Sequence, residues 1–245
     1  LMAKGRELAL PSVVICFEPL PREFFAPGDA PPRLMSCREK VVALRDLGVD
    51  RVLRIGFNER FRALSAEQFI ETVFVQGLGI KYVVVGDDLR FGAGRKGDAA
   101  SLRVAGGEYG FEVVDTPSVL LDGERVSSSR IRHALENADF ALAERLLGRP
   151  YSRTGKVNYG RQLGRTLGAP TANVELCRIK APMSGVYAVE VAGVNSRYYH
   201  GVANVGMRPT VGDRDKAILE VHLFDFDGDI YGQSIDVLFR HKIRD

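Results

Sequence analysis

Two oxygen-bearing side chains, Thr171 and Asn173, lie two residues apart in the run Pro170-Thr171-Ala172-Asn173. Pro170 fixes its own φ and biases Ala169 toward extended geometry. In an extended segment residues two apart face the same way, so this hydroxyl and carboxamide converge. Neutral, hard oxygens of this kind suit Mg²⁺, which takes few protein ligands and completes its shell with waters and phosphates. Upstream, "GKVNYGRQLGRTLGAPTAN" places glycines at 155, 160, 164 and 168. Their freedom at positive φ lets successive backbone N–H groups converge on an anion. Arg161 and Arg165 add positive charge where phosphates would lie. No Gly-Lys-Ser/Thr follows, as the common P-loop requires. The pattern points to a metal–nucleotide complex held without that lysine. The competing reading is a tight turn whose Thr and Asn bond their own backbone.

A carboxylate offers the other half of such chemistry. In "ILEVHLF", Leu219, Val221 and Leu223 fall on one strand face, and Glu220, His222 and Phe224 on the other. A carboxylate there can accept a hydroxyl proton as that oxygen attacks a γ-phosphate. Positioning and charge stabilisation carry most of phosphoryl transfer, and the base mainly orients the nucleophile. A solvated outer face is the bland alternative for Glu220, and a partner or surface role the bland one for His222.

The elements that must hold these groups divide the chain in two. In the first half, strands are expected at Ser12 to Phe17, Arg51 to Phe57, Lys81 to Gly86 and Phe111 to Asp115. Helical signals alternate with them. Ser36 with Glu39 forms a capping box before Val41, Leu44 and Leu47, and Gly48 ends that helix. Ser65 with Gln68 forms a second, leading to Phe69, Val73 and Leu78 on one face. A further helix starts near Asp98, and two short ones between Ser129 and Leu147, the second capped by Asp139, close this half. Such alternation reads as α/β with a parallel, doubly wound sheet and ligands at the strands' carboxyl ends. After Gly148-Arg149-Pro150 short strands and turns take over, and a small antiparallel β-barrel is expected. The expected domains are residues 1–148 and 149–245.

Bulk properties bound the function classes. The chain has 245 residues, 45% hydrophobic and 27% charged, ordinary for a globular protein with one large or two moderate domains. A net charge of +3 gives no large basic patch, so nucleic acid is not an expected partner. Three widely spaced cysteines, Cys16, Cys37 and Cys177, argue against a disulfide scaffold and a zinc ribbon and for a reducing cytoplasm. No apolar run is long enough for a membrane-spanning helix, so no membrane partner is expected either. The opening "LMAKGREL" and the closing "HKIRD" suggest a piece of a longer protein, or its ordered part. Oligomeric state is not legible.

Longer blocks carry a family resemblance. "GKVNYGRQLGRTLGAPTANVEL", "GVYAVEV", "GVANVGMRPTVG", "LEVHLFDFDGDIYG" and "HKIRD" resemble the riboflavin kinase domain of bacterial bifunctional riboflavin kinase/FAD synthetases. "FEPLPREFFAP", "CREKVVALRDLGVDRVL", "VVVGDDLRFGAGRKGD" and "VSSSRIRHAL" resemble the same enzymes' adenylyltransferase domain, with a Rossmann-like nucleotidyltransferase fold. The blocks run in family order over nearly the whole chain. The resemblance implies riboflavin plus ATP to FMN at the barrel, and FMN plus ATP to FAD at the α/β domain, in a cytoplasmic, Mg²⁺-dependent transferase.

For the kinase, the resemblance assigns Mg²⁺ and phosphate contacts to Thr171 and Asn173 and the catalytic base to Glu220. ATP contacts fall on the loop glycines, including Gly155 and Gly160, and on Arg165, Leu223, Asp225 and Tyr231, and a flavin contact on Arg244. For adenylyl transfer it assigns the triphosphate to Ser128, Ser129 and Arg132, where hydroxyls and a guanidinium near a helix N-terminus form an anion site. Asp88, Arg90 and Phe91 follow a strand at its ligand-bearing edge and are assigned to nucleotide or flavin.

Three departures bear on adenylyl transfer and flavin binding. The family's first strand and its G-x-F-D-G-x-H-x-G-H block belong before Leu1, and a closing C-terminal helix after Asp245. Leu20 stands where a histidine is usual. The chain as written is therefore expected to be weak in adenylyl transfer and in holding flavin. A catalytically impaired nucleotide- or flavin-binding regulatory module is the alternative. A barrel for single-stranded nucleic acid lacks the basic, aromatic groove such sites use.

Overall fold

A computed structural model describes residues 1–158, 171–174, 176, 180–195, 197–208 and 216–245. The chain forms two compact units: Leu1–Ala30 with Val41–Val119, and Pro31–Lys40 with Leu120–Asp245.

The first unit alternates helix and strand: α1 (Met2–Glu7), β1 (Val13–Glu18), α2 (Pro21–Phe25), then α3 (Cys37–Asp46), whose sequence crosses from one unit's range to the other's. It continues through β2 (Arg51–Gly56), α4 (Glu59–Arg62), α5 (Ala66–Phe69), β3 (Tyr82–Val85), α6 (Ala99–Tyr109) and β4 (Glu112–Asp115). The described strands pair as two parallel ladders, β1 with β2 and β3 with β4. Ser12 and Asp50 fasten the start of the first ladder: the Ser12 N–H and hydroxyl donate to the Asp50 carboxylate at 2.8 and 2.7 Å. These bonds hold the Asp50 carboxyl below its ordinary pKa.

Both expected capping boxes form. Glu39 N–H donates to Ser36 Oγ while Ser36 N–H donates to Glu39 Oε2, and Ser65 with Gln68 repeats the exchange. Gly48, at φ +85°, supplies the left-handed turn that ends α3. The second helix differs from its expected periodicity. α5 runs into a π-helical stretch, Ile70–Leu78, which winds more residues into each turn. Phe69, Ile70 and Phe74 are therefore the deeply buried positions, with Val73 and Leu78 half-buried against the same cluster.

The second unit begins with a two-stranded hairpin, β5 (Leu120–Leu121) and β6 (Glu124–Arg125), and the helices α7 (Ser128–Glu136) and α8 (Phe140–Leu147). Among the described residues six strands follow: β7 (Ser152–Asn158), β8 (Ala172–Val174), β9 (Gly185–Val194), β10 (Arg197–Arg208), β11 (Lys216–Leu223) and β12 (Ser234–Arg244). They close into an antiparallel barrel in the order β10-β11-β8-β7-β12-β9. In the closed order every described strand has a neighbour on both sides, and alternation sends Val157, Val191, Leu219, Val221, Ile235 and Val237 inward. Helices α7 and α8, expected from periodicity to close the first half, bury Ile131, Leu135, Phe140 and Leu146 in the barrel's own apolar cluster. Phe140 stacks on Phe239 of β12 at 6.4 Å. Amphipathic spacing tells which face is buried, not which sheet covers it.

The Pro31–Lys40 segment is fastened to this unit by polar contacts. Arg132 Nε donates to Pro32 O at 2.6 Å, and Arg153 Nη1 to Leu34 O at 3.2 Å. Glu39 Oε1 accepts from Thr154 N–H at 2.7 Å, and its other oxygen lies 3.4 Å from the Arg153 guanidinium. Arg153 and Glu39 expose only 6% and 9% of their side chains, so neither charge is solvated by water in compensation. Tyr151 lies beside them, and its buried hydroxyl has no hydrogen-bond partner among the described residues. Burial pushes that phenol up to about 12, while the Arg153 guanidinium pulls the other way without the geometry of a hydrogen bond.

Removing one partner of a buried pair strands the other charge, which costs about 3–5 kcal/mol. Glu39→Ala should lower unfolding stability by that amount in a urea titration followed by circular dichroism, the chain having no tryptophan. Tyr151 binds its proton more tightly folded than unfolded, so its contribution is complete below pH 10 and is lost as pH rises toward about 12. Tyr151→Phe should unfold at least as reluctantly as the parent at pH 8 and show a flatter stability curve across that alkaline window.

Candidate active site on the barrel wall

The closing of β8 between β7 and β11 brings the chemistry-bearing groups together. Asn173 pairs directly with Glu220 across β8 and β11. Asn204 of β10 is Glu220's partner on the other side, and Asn158 of β7 is Asn173's. The row therefore reads Asn158, Asn173, Glu220, Asn204 across four neighbouring strands. Each side chain points away from the packed interior, because the residues flanking it in its strand (Val157, Ala172 and Val174, Leu219 and Val221, Ala203 and Val205) are buried. Asn173 and Glu220 are half-buried, Asn158 and Asn204 exposed. Directly opposed Cβ atoms in antiparallel strands stand about 4.5–5.5 Å apart, within reach of one substrate. Thr171, half-buried, enters β8 one residue before Ala172.

The donor set fits Mg²⁺. Asn173 and Thr171 present neutral, hard oxygens at a partly exposed place beside a carboxylate, as a cation shared with phosphates requires. Among the described residues no cluster of three or more His, Cys, Asp or Glu side chains offers a self-sufficient cage. A cation here depends on phosphate oxygens and water.

The other kinase-like candidates fall around this row. Leu223 ends β11 with its side chain inside the barrel core, so only its backbone can meet a ligand. Asp225, at φ +52°, is exposed in the turn that follows. Tyr231 packs its ring against the barrel cluster, and its N–H donates to Asp229 Oδ1 at 2.8 Å. Gly155 is mid-strand in β7, paired with Ile235 and on the buried side of the alternation, so the structure gives it a ladder position rather than a loop one. Arg244 is exposed at the end of β12, opposite Val186, which in turn pairs with Asn204. Gly160 and Arg165 lie outside the described residues. His222 sits two positions from Glu220 with its ring 5.6 Å from that of Phe224.

In α7, Ser127 is the N-cap, accepting from Arg130 N–H at 3.2 Å, and Ser128 and Ser129 follow exposed in the first turn. Arg132 is half-buried and donates to Pro32 O. Arg130, not among the sequence candidates, donates to Leu121 O at 2.9 Å and pairs with Glu124, so it fastens the β5–β6 hairpin. In the first unit Asp88 and Arg90 are exposed after β3. Phe91 is committed to packing: it lies 5.4 Å from Phe69, and a Cβ on Gly97 would stand 2.7 Å from its ring.

Sequence reasoning missed Asn158 and Asn204. Neither belongs to a short motif with Glu220; they become neighbours only through cross-strand register, which no local spacing encodes.

Gly201 keeps that register tight. It faces Leu223, and a Cβ on it would stand 2.3 Å from the His222 carbonyl oxygen. Gly201→Ala should therefore force β10 from β11 and cost about 1–3 kcal/mol by overpacking, read as a lower urea midpoint.

Comparison with known proteins finds two families along the chain. A family described as FAD synthetase matches residues 1–130, and one described as riboflavin kinase matches residues 147–245. The bifunctional riboflavin kinase/FMN adenylyltransferases of Pseudomonas fluorescens and Escherichia coli K12 are each 50% identical over 245 residues, all of this chain and 78% of theirs. The protein so named in Haemophilus influenzae is 47% identical over 244 residues, covering 79% of its length. A crystal structure of a Streptococcus pneumoniae protein called a macrolide-efflux protein superposes with a TM-score of 0.77 at 32% identity, over all of this chain and 79% of that one.

Proposed function

The chain belongs to the bifunctional riboflavin kinase/FMN adenylyltransferase family, and from that premise we propose how its residues divide the work. The enzyme is a transferase that makes FMN from riboflavin and ATP, and FAD from FMN and ATP. We assign the kinase reaction to residues 149–245 and the adenylyl transfer to residues 1–148.

The observation that carries the kinase assignment is the direct opposition of Asn173 and Glu220 across β8 and β11. Glu220 accepts the proton of riboflavin's terminal hydroxyl as its oxygen bonds to the γ-phosphorus. The bond from that phosphorus to the β–γ bridging oxygen breaks, and ADP leaves. Thr171 and Asn173 would hold the nucleotide's Mg²⁺, and the ion would neutralise charge on the phosphate oxygens. A carboxylate next to a site of this kind orients the nucleophile more than it drives it. The backbone at Leu223 and the turn at Asp225 flank the ATP, with Tyr231 behind them and Gly160 and Arg165 contributing from the glycine segment. Gly155 supports this wall as part of the barrel ladder, and Arg244 reaches the flavin.

For adenylyl transfer, Ser128 and Ser129 offer hydroxyls at the N-terminus of α7, where helix N–H groups favour phosphate. Arg132 completes that anion site, and Asp88 and Arg90 lie on the loop beyond β3, which Phe91 anchors by packing. We place the enzyme in the cytoplasm: among the described residues Cys16 and Cys37 form no disulfide, and no helix is long and apolar enough to cross a membrane.

Glu220→Gln keeps the shape and removes the base. It should lower FMN formation by about 10²–10⁴-fold while ATP binding persists, with riboflavin, ATP and Mg²⁺ incubated and the flavins separated chromatographically. Turnover near the parent's would remove Glu220 from the mechanism. A parent chain that binds both substrates and forms no FMN would favour the non-catalytic binding module.

A further inference from the structure

Asn204 has no assigned part in either reaction, yet its place in the fold is specific. It is opposite Glu220 in the β10–β11 register, on the same outward face, and exposed. The outward positions beside it on β10 are Val202 and Gly206, opposite His222 and Ile218. At the level of Glu220, β10 therefore offers one hydrogen-bonding side chain. Asparagine is depleted in strands, having neither the branched shape nor the apolar area that a pleated surface rewards. A local choice that runs against the element's preference, at a strand centre between valine and glycine, is expected where function imposes it.

We propose that Asn204 is a positioning residue for phosphoryl transfer, its carboxamide N–H donating to the Glu220 carboxylate and holding it toward the attacking hydroxyl. This rests on the reading of Glu220 as the base. The two carboxamides flanking Glu220 then have separate tasks. Asn173 would offer its carbonyl oxygen to a cation, and Asn204 supplies an N–H donor from the opposite side of the row. An amide is suited to this because it carries donors without a charge that would compete with the phosphates. Among the described side chains of β8, β10 and β11, the titratable groups sharing the face with Glu220 are His222, two positions along β11, and His200 and Tyr198, beyond Val202 on β10. None is in register with Glu220.

The test measures kinase turnover in full-length Asn204→Ala, Asn204→Leu, Asn204→Gln and Glu220→Gln proteins, with thermal melts to verify folding. Misaiming a reacting group costs about 10²-fold, so Asn204→Ala should lose kcat on that order with KM for ATP and riboflavin little changed. Asn204→Leu keeps the bulk without the donor and should lose as much, while Asn204→Gln keeps the carboxamide and should recover about tenfold over Asn204→Ala. A loss from disturbed packing would instead follow volume and spare Asn204→Leu. Parent-like kcat in Asn204→Leu, with Glu220→Gln inactive, overturns the role of Asn204 and leaves Glu220 as the base. An active Glu220→Gln overturns the base assignment itself, and the Asn204 role with it.

Discussion

The short ladder between β8 and β11 is the constraint on which the candidate kinase site rests. Among the described residues three pairs join these strands: Leu219 with Val174, Glu220 with Asn173, and Val221 with Ala172. Two of those pairs are apolar and buried, so the register is set by what must be inside. A slip of one residue would turn Asn173 into the core and Val174 into solvent. The polar pair between them is thus held in opposition by the burial of its neighbours, and chemistry on the outer wall is fixed by packing on the inner one.

The second unit depends equally on a buried ion pair that its own strands do not supply. Arg153 faces inward on β7, at 5% exposure, among residues that are otherwise apolar. Its compensation comes from Glu39 and from the Leu34 carbonyl, more than a hundred positions earlier in the chain. Glu39 meanwhile serves the Ser36 cap and the Thr154 N–H. One carboxylate therefore closes a helix cap, terminates a strand donor and neutralises a buried guanidinium. A chain holding the barrel strands without Pro31–Lys40 keeps the arginine and loses its partner.

Much of the architecture was legible because it is written locally. The Ser36–Glu39 and Ser65–Gln68 boxes, the Asp98 and Asp139 caps and the β-branched run at Tyr82–Val85 need only their immediate neighbours, and each formed where spacing put it. The alternation of "ILEVHLF" correctly separated Leu219, Val221 and Leu223 from Glu220 and His222. Local reasoning failed where winding or partnership is decided elsewhere. The π-helical stretch after Phe69 moved burial to Ile70 and Phe74, and α7 and α8 packed on the barrel. Phe91 turned out to be spent on Phe69 and Gly97, and Gly155 on the ladder with Ile235.

What the sequence determined alone was the inventory: which faces are apolar, where elements start, and which residue types could bind a cation or take a proton. It also determined the family, because long ordered blocks carry that information without coordinates. Tertiary structure decided which of those residues meet. Asn173 and Glu220 are 47 positions apart in the chain, and Asn204 and Glu220 are 16 apart. Side-chain period says only which face each occupies. Their contact required a closed barrel to choose strand order and register, and that choice is made by the shared burial of residues far apart in the chain.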